Sequence, residues 1–152
     1  MSYLLYIKKQ VLIEIGNSIG IHRPETGGIL GCSKDGVISH FLFDYNDKST
    51  SYKYVPSVDY LNEYMENNWY NNGITFCGMV HSHPNNAQSL SCGDLMYAKQ
   101  IIESFNNLEH LYLLLTFVTE ETVNIRYFKT FLNESHVIEA YQLCESEIHI
   151  IE

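Results

Sequence analysis

At 152 residues the chain has the usual size of one globular domain, long enough to bury most of its apolar surface and short for two cores, so a single domain over residues 1–152 is expected. An apolar fraction of 45% with 12 Tyr, 7 Phe and 1 Trp exceeds what a disordered tail carries, and a formal charge of −9 repels phosphate backbones, which argues against a nucleic-acid partner. Cys32, Cys77, Cys92 and Cys144 form no Cys-x-x-Cys pair, nothing at the N-terminus resembles a secretory signal, and the longest apolar stretch, Leu111 to Val118, is too short to cross a bilayer. The expectation is a cytoplasmic protein with reduced thiols and no membrane attachment.

Ser2 to Ile7 reads as a strand, after which Val11, Leu12, Ile15 and Ile19 recur at helical spacing up to a break near Gly20. Pro24 to Gly31, the turn signal Lys34-Asp35-Gly36 and the aromatic, branched run Val37 to Asp44 predict a hairpin. A short strand is expected near Tyr52 to Val55. Ser57 can then cap a helix whose Val58, Leu61, Tyr64, Met65 and Trp69 form one apolar stripe, ended by Asn71-Asn72-Gly73. Ile74 to Val80 has the pattern of a strand running into His81-Ser82-His83-Pro84, with Pro84 stopping it. A polar loop reaches Ser91, and Leu95, Ala98, Ile102 and Phe105 mark a third helix. Leu111 to Val118 and Val123 to Phe128 read as strands, and one or two more fit before Ile151. Strands and helices intermix without strict alternation, which favours an α/β sandwich, a mixed sheet flanked by helices.

Positions two apart on a strand share a face, so His81 and His83 can aim both imidazoles at one point, and Pro84 biases His83 toward an extended backbone. Asp94 falls in the first turn of the third helix, projecting back toward the loop. Two histidines and one carboxylate are the protein ligands of many catalytic zinc sites, whose fourth position holds water. Each half has an ordinary reading as well. His-x-His arises often by chance, and Ser91-x-x-Asp94 is equally a capping box in which the acid serves the helix dipole. His22, His40, His110, His136 and His149 have no partner at metal-ligand spacing. Cys92 is a spare ligand, a redox-sensitive thiol or a small half-buried residue at a helix start.

Taken together, His81-Ser82-His83-Pro84, six residues, Ser91, two residues and Asp94 resemble the signature of the JAMM (MPN+, JAB-domain) metalloproteases. Upstream, Glu25-Thr26-Gly27-Gly28-Ile29-Leu30-Gly31 resembles the segment that supplies the catalytic glutamate in the prokaryotic branch of that family. The likeness covers roughly Ser2 to Phe128. It departs at Leu90, where the family often has proline, and at Met79 and Val80, where it often has an aromatic residue. The resemblance implies the JAB1/MPN fold, a three-layer sandwich like that of cytidine deaminases, with Glu25 on a strand. It implies one Zn2+ held by His81, His83 and Asp94, with Glu25 activating water and Ser91 assisting the oxyanion. It also implies hydrolysis of the amide bond after the C-terminal glycine of a ubiquitin-like modifier.

A linear precursor, a sulfur-carrier protein or another peptide is an alternative substrate, and a non-catalytic, metal-stabilised MPN-type interaction module is the rival from a different class. A zinc nucleobase deaminase is excluded because Pro-Cys-x-x-Cys is missing. Gly27 and Gly28 either let a substrate strand add to a sheet edge beside Glu25 or serve a turn or bulge of the fold itself.

Overall fold

Side-chain alternation along the strands sorts the apolar residues into two clusters on opposite faces of one sheet. The computed structural model describes residues 3–19, 25–45, 54–83, 88–105, 107–119 and 122–152. In chain order the elements are β1 (Leu5–Lys8), α1 (Lys9–Ser18), β2 (Gly27–Cys32), β3 (Val37–Phe43), α2 (Val58–Tyr64), β4 (Thr75–Ser82), α3 (Cys92–Ser104), β5 (His110–Thr119), β6 (Thr122–Leu132), β7 (Ile138–Gln142) and β8 (Ile148–Ile151). The strands form an 8-stranded sheet in the order β7-β6-β5-β4-β2-β3-β1-β8. β1 runs parallel to β3 and β8, and β4 parallel to β5, while the other neighbours are antiparallel. This is the mixed sheet with flanking helices that the sequence predicts.

Val11, Ile15 and Ile19 of the first helical segment cover one face, packing in a cluster with Leu30, Ile38, Val80 and Leu114. The opposite cluster places Leu61, Met65 and Trp69 with Ala98 and Ile102 of α3 over Ile29, Met79, Leu113 and Leu115. β5 illustrates the rule: Leu111, Leu113 and Leu115 belong to the second cluster, and Tyr112 and Leu114 to the first. Both faces of this strand are therefore apolar, and each fully buried Leu contributes on the order of 1.5–3 kcal/mol relative to exposure. The result is three layers, helix, sheet and helices.

The chain after Tyr64 widens into a π-helical stretch, Met65–Trp69, and a 3-10 turn, Tyr70–Asn72, which Gly73 ends at φ 74°. Leu61, Met65 and Trp69 are buried, but Val58 is 53% exposed, so the predicted stripe begins one turn later than expected. Ser57 occupies the N-cap position without a side-chain cap bond. Its N–H instead donates to Asp44 Oδ2 at 2.8 Å. The strand expected near Tyr52 to Val55 is absent at Tyr54 and Val55, and the Tyr54 hydroxyl also donates to Asp44 Oδ2, at 2.9 Å. Tyr52, the break near Gly20 and the stop at Pro84 lie outside the described residues.

One irregularity sets the direction of the site. β2 and β4 pair Leu30 with Gly78 but Gly31 with Phe76, leaving Cys77 as the extra residue of a bulge. Phe76 and Met79, three residues apart, consequently face the same cluster, which a regular two-residue alternation forbids. From Met79 the restored alternation carries His81 and His83 to the face covered by α2 and α3.

Candidate metal centre

β4 delivers His81 at its end and His83 just beyond it. His83 N–H still donates to Thr116 O at 3.0 Å, so the strand path continues along β5 past its formal end. Across the cleft, α3 begins with a reciprocal capping box. Asp94 N–H donates to Ser91 Oγ at 3.1 Å, and Ser91 N–H donates to Asp94 Oδ2 at 2.8 Å. The cap fixes the Asp94 rotamer in the first turn, with the carboxylate turned toward the histidines.

The two readings of Ser91-x-x-Asp94 therefore coexist in one side chain. While capping α3, Asp94 places Oδ1 3.2 Å from His81 Nε2 and Oδ2 3.3 Å from His83 Nε2. The two Nε2 atoms are 2.9 Å apart. Ligands bound to zinc at about 2.0–2.1 Å stand about 3.3 Å from one another at tetrahedral angles, close to the separation of the two rings and of each ring from its nearer carboxylate oxygen. Donor chemistry points the same way. If both rings donated Nε2–H to Asp94, two N–H groups would meet head to head, whereas a cation drawing on both lone pairs removes the conflict. His81, His83 and Asp94 thus form a group that could hold a metal ion. Burial pushes the Asp94 carboxyl up, but its close contacts with the His81 and His83 rings and with the Ser91 N–H outweigh it and hold the group well below the usual carboxylate range.

Glu25 faces this trio from two residues before β2, in a bend rather than on the strand the resemblance implies. The segment is pinned to β4. Thr26 N–H donates to Ser82 Oγ at 3.0 Å, Ser82 N–H donates to Thr26 O at 2.9 Å, and Gly27 pairs with His81. Glu25 is only 6% exposed. Burial raises its carboxyl above the ordinary value, opposed by the charges of His83 and His81 and by a hydrogen bond from the Tyr54 N–H.

These groups line a cleft of about 700 Å³ together with Met79, Tyr97 and Leu113. Ser91 lies on its wall beside Asp94. Cys92 is exposed at the first position of α3, not half-buried as expected, and does not join the metal-competent group. Three contributors carried no signal in the sequence. Tyr54 stacks on His81 with ring centroids 6.3 Å apart and an interplanar angle of 18°. Asp44, 1% exposed, anchors Tyr54, and Tyr97 forms part of the cleft wall. Asp44 and Tyr54 lie far from the motif in sequence, whereas Tyr97 follows Asp94 by one turn of α3.

The structure decides the role of the glycines. β2 lies between β3 and β4 with both edges paired, so no substrate strand can add along Gly27 and Gly28. A Cβ on Gly27 would meet the Tyr54 ring at 2.6 Å and Val80 O at 2.7 Å. One on Gly28 would overlap the backbone oxygen of Leu42. Both glycines serve close packing within the fold.

The sequence matches no family model and no curated protein. Among solved structures, a protein of Desulfitobacterium hafniense superposes with a TM-score of 0.65 at 17% identity, covering 98% of this chain and 94% of that one. A JAB1/MPN domain protein from Archaeoglobus fulgidus matches with a TM-score of 0.51 at 18% identity, over 97% of this chain and 100% of that chain. The fold is that of a JAB1/MPN domain. Within the JAB1/MPN fold of this chain, the His81, His83 and Asp94 group sits where β4 and α3 meet. Among the described residues no helix is long and apolar enough to cross a membrane.

Proposed function

We propose that this protein is a JAMM-type zinc metallopeptidase that hydrolyses an amide bond, with the bond after the C-terminal glycine of a ubiquitin-like modifier as its first substrate class. The observation that carries the proposal is that the buried Glu25 lines the same cleft as the convergent His81, His83 and Asp94 donors. His81, His83 and Asp94 would hold the zinc. When bound, the metal supplies a Lewis acid that lowers the pKa of its water toward about 7 and polarises a carbonyl.

The remaining steps belong to the side chains. The Glu25 carboxylate takes a proton from the attacking water and then delivers it to the departing amine. Ser91 Oγ already accepts the Asp94 N–H, so its own O–H is free to donate to the substrate oxygen as negative charge gathers there. The Tyr54 ring stacks on His81 and its N–H donates to Glu25, which holds both side chains in place.

The test uses a ubiquitin-like protein ending in Gly-Gly, amide-linked to a lysine, with bound zinc measured on the same sample. Glu25→Gln is expected to keep one zinc per chain and to lose at least a hundredfold in turnover, the scale of a general base. His81→Ala is expected to lose both zinc and turnover. A Glu25→Gln protein with undiminished turnover would remove Glu25 as the base, and a zinc-replete His81→Ala protein would remove the site.

A further inference from the structure

Away from the cleft, Cys32 at the end of β2 and Cys77 at the β4 bulge bring their sulfur atoms to 2.7 Å, although they lie 45 residues apart in the chain. Both are free thiols and both are buried at 8% exposure, in the core cluster on the α1 face of the sheet. Unbonded carbon atoms rest about 3.5–4.0 Å apart, and sulfur is larger, while bonded disulfide sulfurs sit at about 2.05 Å. The pair is thus already inside ordinary contact distance, and the chain approach that formation of a bond requires has been made by the fold.

We infer that Cys32 and Cys77 are a site of covalent modification, an intramolecular disulfide that staples β2 to β4. Cys77 is the extra residue at the bulge, and its thiol points across β2 toward Leu30 O at 3.6 Å. Cys32 is followed at once by the turn that Gly36 closes through its N–H to Ser33 O at 3.0 Å, so local opening of that turn exposes Cys32 first. With a small-molecule disulfide such as oxidised glutathione as co-reactant, the Cys32 thiolate attacks one glutathione sulfur and releases the other as thiolate. The Cys77 thiolate then attacks Cys32 Sγ, forming the protein disulfide and expelling the second glutathione. The two cysteine protons end on the two glutathione thiols, the protein is oxidised by two electrons and the glutathione disulfide is reduced.

Burial pushes the Cys77 thiol well above its ordinary value, which makes the exchange slow in the closed fold. The staple links the strand that follows Glu25 to the strand that carries His81, on the face of the sheet opposite the cleft.

The experiment uses the purified full chain carrying Cys92→Ser and Cys144→Ser, which leaves only the buried pair. After incubation with oxidised glutathione, a non-reducing peptide map is expected to contain one cross-linked species joining the Cys32 and Cys77 peptides, lighter by two hydrogens than their sum. The melting temperature should rise by about 10 °C, the increment expected for closing a loop of this length in a domain of this size, and fall back on addition of dithiothreitol. Adding Cys77→Ala, or Cys32→Ala should the first fail to fold, is expected to abolish both changes. Two outcomes overturn the inference. One is free Cys32 and Cys77 after both native incubation and refolding of the reduced chain in a glutathione buffer. The other is a cross-link that lowers the melting temperature, which would show that the native spacing does not accommodate the bond.

Discussion

Asp94 does two jobs that the usual substitutions do not separate, and the structure shows how to separate them. It caps α3 by accepting the Ser91 N–H at 2.8 Å, and it turns its two oxygens toward His81 and His83 at 3.2 and 3.3 Å. Asp94→Asn keeps an oxygen for the cap and loses the charge, whereas Asp94→Ala loses both. Ser91 still accepts the N–H of residue 94, so losing this arm of the capping box costs up to about 1 kcal/mol, which in a domain of this size lowers the melting temperature by up to roughly 2–4 °C. In protein stripped with a chelator, Asp94→Ala should show that drop, while Asp94→Asn should melt within roughly 2 °C of the native chain.

Zinc then reads the other job. At a hundredfold excess over its dissociation constant, a ligand that binds only the folded state stabilises it by about 2.7 kcal/mol, or roughly 5–11 °C here. The native chain should show this shift in a calorimetric or fluorescence melt, and both variants should show little of it. If Asp94→Ala gained as much from zinc as the native chain, Asp94 would be a cap alone and the reasoning about the metal centre would fall.

Three further outcomes follow from the geometry. Gly28→Ala should destabilise the chain by about 2–3 kcal/mol in urea unfolding, because the added Cβ meets the Leu42 backbone oxygen and β2 and β3 have no room to part. An undiminished unfolding midpoint would contradict the packing described here. Cys92→Ser should leave zinc at one per chain and turnover within a few-fold, since Cys92 is exposed and outside the donor group; loss of zinc on that change would show the ligand set to be misassigned.

The last concerns alkaline pH. Burial pushes the Tyr112 and Tyr127 hydroxyls up to about 12 from the ordinary 10.0. Between those values the unfolded chain has released protons that the native chain still holds, so their contribution is complete below about pH 10 and stability declines as pH rises from there toward 12. Ultraviolet titration of tyrosinate should show these rings ionising late, together with unfolding. Their titration near 10 with the fold intact would refute their burial.

Much of this protein is decided by local patterns that any stretch of the chain carries within itself. The spacing of Val11, Ile15 and Ile19 commits a helix, and the run Leu111 to Leu115 commits a strand apolar on both faces. His81 and His83 share a face because alternate strand residues do, and Ser91 with Asp94 forms the capping box that their three-residue spacing allows. The His81, His83 and Asp94 group was legible for this reason: its members stand on or just past two regular elements whose periodicity sets side-chain direction.

What the sequence could not decide depends on which segments become neighbours. Glu25, in a bend before β2, becomes a cleft residue only because Thr26 and Gly27 register against Ser82 and His81. Gly27 and Gly28 allowed either a substrate strand or a turn or bulge, and neither holds once β2 is placed inside the sheet, where their missing side chains admit the Tyr54 ring and the Leu42 carbonyl. The bulge at Cys77 leaves no local pattern, yet it resets the alternation that aims the histidines and brings Cys77 against Cys32. Strand order, register and bulges arise from pairing energies between distant segments, each contact being worth little by itself and fixed only when the whole sheet closes.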